Sequence, residues 1–351
     1  MFKKTVQTSQ TCLECTYAAT FRSGLLRKKM AHLIENNAIT NKAEIAYVNK
    51  KPWHGLGQEL TPDAPIEVWR KESGLDWEAQ CSPAMFWPEG LAAPQVVEGS
   101  NVVFRNDTKK TLGIVTDRYK IHQPAEVLDF FNTLMQSAGF TLEVAGAIKG
   151  GKRIWALANV NKEACVLGND SVKAYLLLST SFDGSTATIG QFTSIRVVCN
   201  NTLSAADSET APSRFSITHG AEFNASLMRN KLGIVVSGFD GMMDKYRYLA
   251  QSSFTTIQLE NFMVKLFPKV YSEKQEQMQD SRGYKKVMEL FEGKSIGHGM
   301  AGTNGTKWGL LNSVTQYIDH ERGHNVDTRI NNAWFGNGNR LKSQAEAMLL
   351  A

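Results

Sequence analysis

The sequence predicts an α+β protein: an antiparallel twisted sheet with a helix packed on it, followed by a mainly helical C-terminal part. Three observations lead there. Between residues 96 and 252, short runs of alternating apolar residues recur, separated by turn residues. One amphipathic stretch, residues 124–138, interrupts them. After residue 252 the apolar spacing changes from two to three and four. The chain therefore divides into an N-terminal extension (1–29), an N-terminal segment (30–95), the α+β core (96–252) and the helical part (253–351).

Taken in order, residues 31–60 show little periodicity and end in KPWHGLGQEL, a glycine-punctuated loop around Trp53 and His54. Residues 66–73 read as a short helix. LDWEAQCSP alternates like an edge strand that stops at Pro83, and MFWPEGLAAPQ reads as loop. NVVFRN and TLGIVTDRY are two strands around a polar DTKK turn. PAEVLDFFNTLMQSAG is a helix: Pro124 suits its first turn, Val127, Phe130, Phe131 and Leu134 form one stripe, and Gly139 ends it. TLEVAGAIKGGKRIWALANV is a hairpin with Gly150 and Gly151 at its tip. VKAYLLLSTSF and TATIGQFTSIRVVC are further strands, NNTLSAA starts a helix, and RFSITHG is a short strand. Residues 222–251 carry a long helical pattern interrupted by Gly233, Gly238 and Gly241. Helices are expected at 256–267, 272–292, 306–321 and 340–350, with GHGMAGTNGT as a connector.

The net charge of +5 is concentrated at one end. Residues 1–29 hold six basic residues and one acid; the remaining 33 basic and 33 acidic residues balance. A uniformly basic nucleic-acid coat is therefore excluded, although a local basic face is not. The hydroxyl-rich, basic start resembles a transit peptide; the plainer reading is that translation starts at Met30 or that the stretch is a disordered tail. No apolar run reaches the ~18 residues that a membrane helix needs. Five cysteines, an odd and sparse set, argue for a reducing compartment.

HERGH at 320–324 contains the His-Glu-x-x-His pattern, in which two histidines on one helical face bind zinc and the glutamate activates water. Its surroundings argue against that use. The helix running through TKWGLLNSVTQYIDHERG should stop at Gly323, which takes His324 off the face of His320. Cys199 closes an apolar strand, where an inert thiol is expected, and Asp183-Gly184 marks a turn. Cys12 and Cys15 lack a second pair at zinc-finger spacing. No phosphate loop, dinucleotide fingerprint or nucleophile elbow occurs. The expectation is a non-catalytic protein without metal or cofactor; an enzyme would have to use Asp183, Arg196, His320 or Glu321.

The basic residues of the central strands are more informative. The second hairpin carries Lys149, Lys152 and Arg153 close to Trp155, and Arg118, Tyr119 and Lys120 follow the first. Such cations beside aromatic rings suit a phosphate backbone with stacked bases; equally, lysines at hairpin tips keep edges soluble. Arg196 lies between apolar neighbours and must meet a partner or a groove, and Asn200 and Asn201 follow it as helix caps or ligand donors. These ten residues are the candidate nucleic-acid site. Strand alternation puts Arg153, Trp155 and Leu157 on one face. The expectation is that Arg196 joins them, with Arg118 in reach, while helix 124–138 covers the other face above Ile195, Val197 and Cys199.

VTDRYKIHQPAEVLDFF, AGAIKGGKRIWALANV, AYLLLSTSFDGSTATIGQFTSIRVVCNNTL, GTKWGLLNSVTQYIDHERG and NNAWFGNG resemble the phage/plasmid-like protein family, also called domain of unknown function 932. KPWHGLG resembles its N-terminal signature. Phe182 departs from the family's histidine before Asp-Gly, which puts a catalytic role there in doubt. The resemblance implies cargo of phages and plasmids in a bacterial cytoplasm, where a transit peptide has no place. A weaker similarity links the central pattern to single-strand annealing proteins. It implies a single-stranded DNA partner, a recombination role and a homo-oligomer. The alternative partner is a host protein that the chain binds and modulates.

Overall fold

The computed structural model describes residues 36–49, 56–198, 201–204, 214–224, 230, 238–272, 277–323 and 326–351. The readings of residues 1–29, Trp53, His54, Cys199, Asn200 and His324 lie outside the described residues. Ala31–Ala351 form one compact unit.

The main sheet has eight strands among the described residues. They are β1 (Ile45–Val48), β2 (Gln58–Leu60), β6 (Thr141–Ile148), β7 (Arg153–Cys165), β8 (Ser171–Ser181), β9 (Thr188–Arg196), β10 (Asn201–Ser204) and β11 (Arg214–Ile217). Their order is β10-β9-β8-β7-β6-β1-β2, with β11 beside β10 on the free side of β9. All pairs are antiparallel except β1 with β2. A second sheet joins β3 (Ala79–Phe86), β4 (Gln95–Arg105) and β5 (Thr111–Thr116). Two short strands, β12 (Val270–Ser272) and β13 (Gln277–Gln279), form a separate hairpin.

Helix α1 spans Ile66–Glu72, and α2 spans Pro124–Ala138. The C-terminal part holds α3 (Phe239–Gln251), α4 (Thr256–Leu266), α5 (Arg282–Glu289), α6 (Lys307–Gln316), α7 (Val326–Phe335) and α8 (Asn337–Leu350). The α+β class and the helical C-terminal part are as the sequence predicts. Proline opens α2, the Glu126 carboxylate accepts the backbone N–H of Gln123, and Gly139 takes the left-handed conformation that releases the chain into β6.

The main sheet buries both faces. On one, Ile154, Ala156 and Ala158 of β7 and Ala174, Leu176 and Leu178 of β8 share a core with Val127, Phe130, Phe131 and Leu134 of α2. Phe239, Met243 and Tyr246 of α3 and Trp308 of α6 belong to the same core. On the other face, Ile148, Trp155, Leu157, Tyr175 and Leu177 form a smaller core roofed by Trp334 and Phe335 of α7. This alternation follows from the two-residue period of a strand.

Several elements differ from expectation. Asn201–Ser204 is a strand, not a helix start, because its backbone pairs with β9. β3 continues past Pro83 to Phe86 through a shift of register. A proline at a sheet edge gives up a donor that had no partner to lose. The helix expected at 272–292 begins only at Arg282, since residues 270–279 contain the β12–β13 hairpin. Ile45–Val48, which lacks strand periodicity, is a fully buried strand, and burial on both faces removes the alternation. The second sheet is tied to the first by a buried cation: Arg105 donates to Glu44 at 2.6 Å and to Asp107 at 2.8 Å, and lies over the Trp77 ring.

Candidate functional site

Five of the predicted cations gather at one end of the main sheet. The turn from β8 to β9 organises them. Phe182 N–H donates to Lys152 O at 2.9 Å, Tyr119 O–H donates to Ser181 O at 2.6 Å, and Arg153 pairs with Ser181 in the ladder. The segments carrying the exposed Arg118, Lys120 and Lys149 and the half-buried Lys152 therefore meet at this turn. Gly113 of β5 presses against it so closely that a Cβ would stand 2.5 Å from Cα of Asp183, which explains why glycine is needed there. Lys120 forms an ion pair with Glu222 at 3.3 Å. Burial works against the Asp183 carboxylate, but hydrogen bonds from Ser185 and Ser181 and the charge of Arg153 hold it below the usual carboxylate range.

The aromatic side of the prediction does not hold. Trp155 faces away from α2, as alternation predicts, but it is buried and packs edge-on against Trp334 at 4.9 Å. It has no surface left for a base. Tyr119 is half-buried, stacked on His219 at 4.4 Å, and desolvation raises its hydroxyl pKa.

Arg196 is also corrected. The ladder pairs Trp155 with Ser179 and Ser179 with Ile189, so odd-numbered positions of β9 share the face of Trp155. Arg196 is on the opposite, helix-covered face. Its Nε donates to both oxygens of Asp170 at 2.7 and 3.0 Å, and its other nitrogens reach the carbonyls of Ile296 and Gly297. Trp308 Nε1–H donates to the same carboxylate at 2.8 Å. Ile195 packs with the Trp155 core instead of under α2, and Val197 is 40% exposed. The backbone of Asn201 pairs with Arg196. A single groove joining Arg153, Trp155 and Arg196 does not exist.

Two histidines escaped the sequence reading. The carbonyl of Lys120 faces Nδ1 of His219 at 2.8 Å, and the carbonyl of Ala221 faces Nε2 of His122 at 2.9 Å. A carbonyl only accepts, so each of these nitrogens carries a proton and donates. Thr180 and Thr188 link the two rings from the sheet side. Burial lowers the pKa of His219. The pair clamps the loop after β11 onto the sheet and leaves no free nitrogen for catalysis. Their spacing in sequence, 97 residues, hides them from any motif search.

The second sheet carries an apolar arm, whose base adjoins the segment of Arg118: Asp117 N–H donates to Gly99 O at 3.3 Å. Beyond the buried Ala84 the β3–β4 hairpin is exposed on both faces: Met85 pairs with Val96, Phe86 with Gln95, and the Trp87 indole N–H donates to Leu91 O at 2.9 Å. Met85, Phe86, Trp87, Leu91 and Val96 are each more than half exposed. Between Ala79 and Phe104 the only charged residues are Glu89 and Glu98. The sequence shows this apolar run, but alone it reads as loop.

Of HERGH, the structure describes His320 to Gly323. His320 and Glu321 end a wide helical turn after α6, Arg322 is already extended, and Gly323 follows with a positive φ. Glu321 pairs with Lys286 at 3.1 Å. Among the described residues no group of three His, Cys, Asp or Glu side chains could hold a metal ion, and no helix is long and apolar enough to cross a membrane.

Fold and site together define an α+β protein with a two-faced sheet, a basic sheet end and a projecting apolar arm. The chain belongs to the family described as Domain of unknown function (DUF932), whose model matches residues 111–345. No curated protein and no solved structure matches it. The arm precedes the matched region.

Proposed function

We propose that the chain is a non-catalytic binding module that captures a protein partner on the β3–β4 arm. The observation that supports this reading is the exposure of five large apolar side chains, Met85, Phe86, Trp87, Leu91 and Val96, on one short hairpin. Exposed apolar patches of this kind mark interaction sites, and aromatic anchors dominate their binding energy. The arm bears two acids and no cation, so it suits an apolar groove with a basic rim and repels a phosphate backbone. The resemblance to phage and plasmid cargo makes a bacterial host factor the first partner to test. A photo-crosslinking group at Leu91 in nuclease-treated host lysate should capture one discrete protein, and Trp87→Ser should abolish the capture. A capture that survives Trp87→Ser sinks the arm as the binding element; a captured second copy of the chain makes it an assembly arm.

The second reading is single-stranded DNA at the basic sheet end, and the gathering of Arg118, Lys120, Lys149 and Lys152 around one turn favours it. Binding of this type weakens steeply with salt, by about 0.7 in log–log slope per phosphate neutralised. Fluorescence anisotropy should then show binding of an oligonucleotide at about 50 mM salt and a shallower salt slope for Lys149→Ala/Lys152→Ala. No binding at that salt rejects this reading without touching the first.

A further inference from the structure

Arg153 poses a problem that neither surface solves. It is 8% exposed, and although it feels the charge of Asp183 at longer range, no carboxylate lies within ion-pair distance among the described residues. Its guanidinium has five N–H donors, of which one is used, from Nη2 to Thr186 Oγ1 at 3.1 Å. The ring of Phe335 lies flat beneath it, 4.7 Å from Cζ, and holds the group in place. A buried guanidinium so poorly satisfied is uncommon, because buried charges normally meet a counter-charge.

The space in front of it is built for one. Arg153 borders a cavity of about 50 Å³, enough for a small ion or several waters. The cavity's polar lining is Arg153, Arg214, Ser179, Thr186, Gln191 and Asn339, with no Asp or Glu. Register explains the convergence. Arg214 stands directly opposite Gln191 across the β9–β11 ladder, and Ser179 is opposite both Trp155 and Ile189, so these side chains share the Trp155 face. Trp334 and Phe335 of α7 close the roof. Two guanidiniums, two hydroxyls and the amide of Gln191 make a donor-rich, acid-free shell. A carboxylate, with two oxygens, would leave much of it unused. A phosphate group, with three or four terminal oxygens and up to two charges, matches both the number of donors and the two guanidinium charges of the lining.

We propose that this cleft between β7, β8, β9, β11 and α7 is a binding site for a phosphate group, with Arg153 as the buried, preoriented anchor and Arg214 as the exposed second cation. The phosphate comes either as the free ion or as the terminal phosphate of a larger ligand. The site is independent of the arm.

Thermal shift and titration calorimetry on the full chain test it. Inorganic phosphate, at ionic strength matched with chloride, should raise the melting temperature saturably within about 10 mM, as linkage requires of a ligand that binds only the folded state. Arg153→Met should weaken binding at least tenfold, and Arg153→Lys should not restore it, because an ammonium lacks the planar fork. Arg214→Glu, at an exposed position, keeps the test decisive if the Arg153 variants fail to fold; it too should lose binding. Lys149→Ala should bind as the parent does. A 5′-phosphorylated oligonucleotide that binds more tightly than its unphosphorylated twin identifies a terminal phosphate as the source; equal binding identifies the free ion. No saturable effect of phosphate, or an effect unchanged in Arg214→Glu, overturns the proposal.

Discussion

Arg153 and Arg196 are both buried in the main sheet, on opposite faces, and they are solved in opposite ways. Arg196 spends its donors inside the protein: on Asp170, on two backbone carbonyls of the segment before α6, and beside Trp308, which binds the same carboxylate. Arg153 meets one hydroxyl and an aromatic face. The difference teaches how to separate a structural charge from a functional one. A buried cation with its counter-charge supplied by the chain joins elements together, here the strand end of β9 to the helical part. A buried cation whose nearest carboxylate, here Asp183, acts on it only from beyond ion-pair distance keeps its hydrogen-bonding capacity for something else.

The comparison breaks most easily at Asp170. Asp170→Ala leaves Arg196 buried and unpaired and should destabilise the protein by about 3–5 kcal/mol in urea denaturation. A loss under about 1 kcal/mol, the size of an ordinary surface pair, would mean that Arg196 is solvated and the contrast is false.

His219 sharpens it on the helix-covered face. Its pKa in the folded protein is lowered from 6.5 by burial, with His122 adding to the shift and the Lys120 carbonyl opposing it. Below pH 6.5 the unfolded chain therefore takes up a proton that the folded protein refuses. Stability is full above that pH and falls as pH drops through the window beneath it. Melting temperatures of the parent should decline from about pH 6.5 to about pH 5, the range in which histidine titrates. His219→Gln should decline less. Glu44, whose pKa burial raises, contributes a slope of the opposite sign that both proteins share and that cancels in the difference.

Arg153→Met should cost no more than about 2 kcal/mol without added phosphate, since it gives up one neutral-acceptor hydrogen bond and the cation–π contact with Phe335 but no ion pair. A loss as large as that of Asp170→Ala would show that Arg153 is a structural charge after all. Smallest of all is Trp87→Ser, which should change stability by no more than about 0.5 kcal/mol, because Trp87 is 66% exposed. A larger loss in the same denaturation assay would turn the arm into part of the core.

The candidate sites were legible to different degrees. The cations at the two turns were visible in sequence as charge beside turn residues, and the fold does bring Arg118, Lys120, Lys149, Lys152 and Arg153 to one end. The phosphate cleft was not visible. Its members come from β7, β8, β9, β11 and the last two helices, and no spacing connects Arg153 to Arg214 or Asn339. The His122–His219 clamp was hidden for the same reason.

By itself the sequence determined what is local. The period of three and four in α2, the left-handed glycine after it, and the strict alternation that puts Arg153, Trp155 and Leu157 on one face are properties of neighbouring residues and backbone stereochemistry. Alternation within β9 was equally plain, but it separates Ile195 from Arg196 without saying which of them shares a face with Trp155. That choice is a phase between strands, and only the ladder that pairs Trp155 with Ser179 and Ser179 with Ile189 makes it. The tertiary structure likewise decided that Trp155 is a core residue, because the side chains that cover it, Trp334 and Phe335, are about half the chain away. Whether an apolar or charged side chain is surface or core depends on what lies over it, and that is a fact about folding at long range.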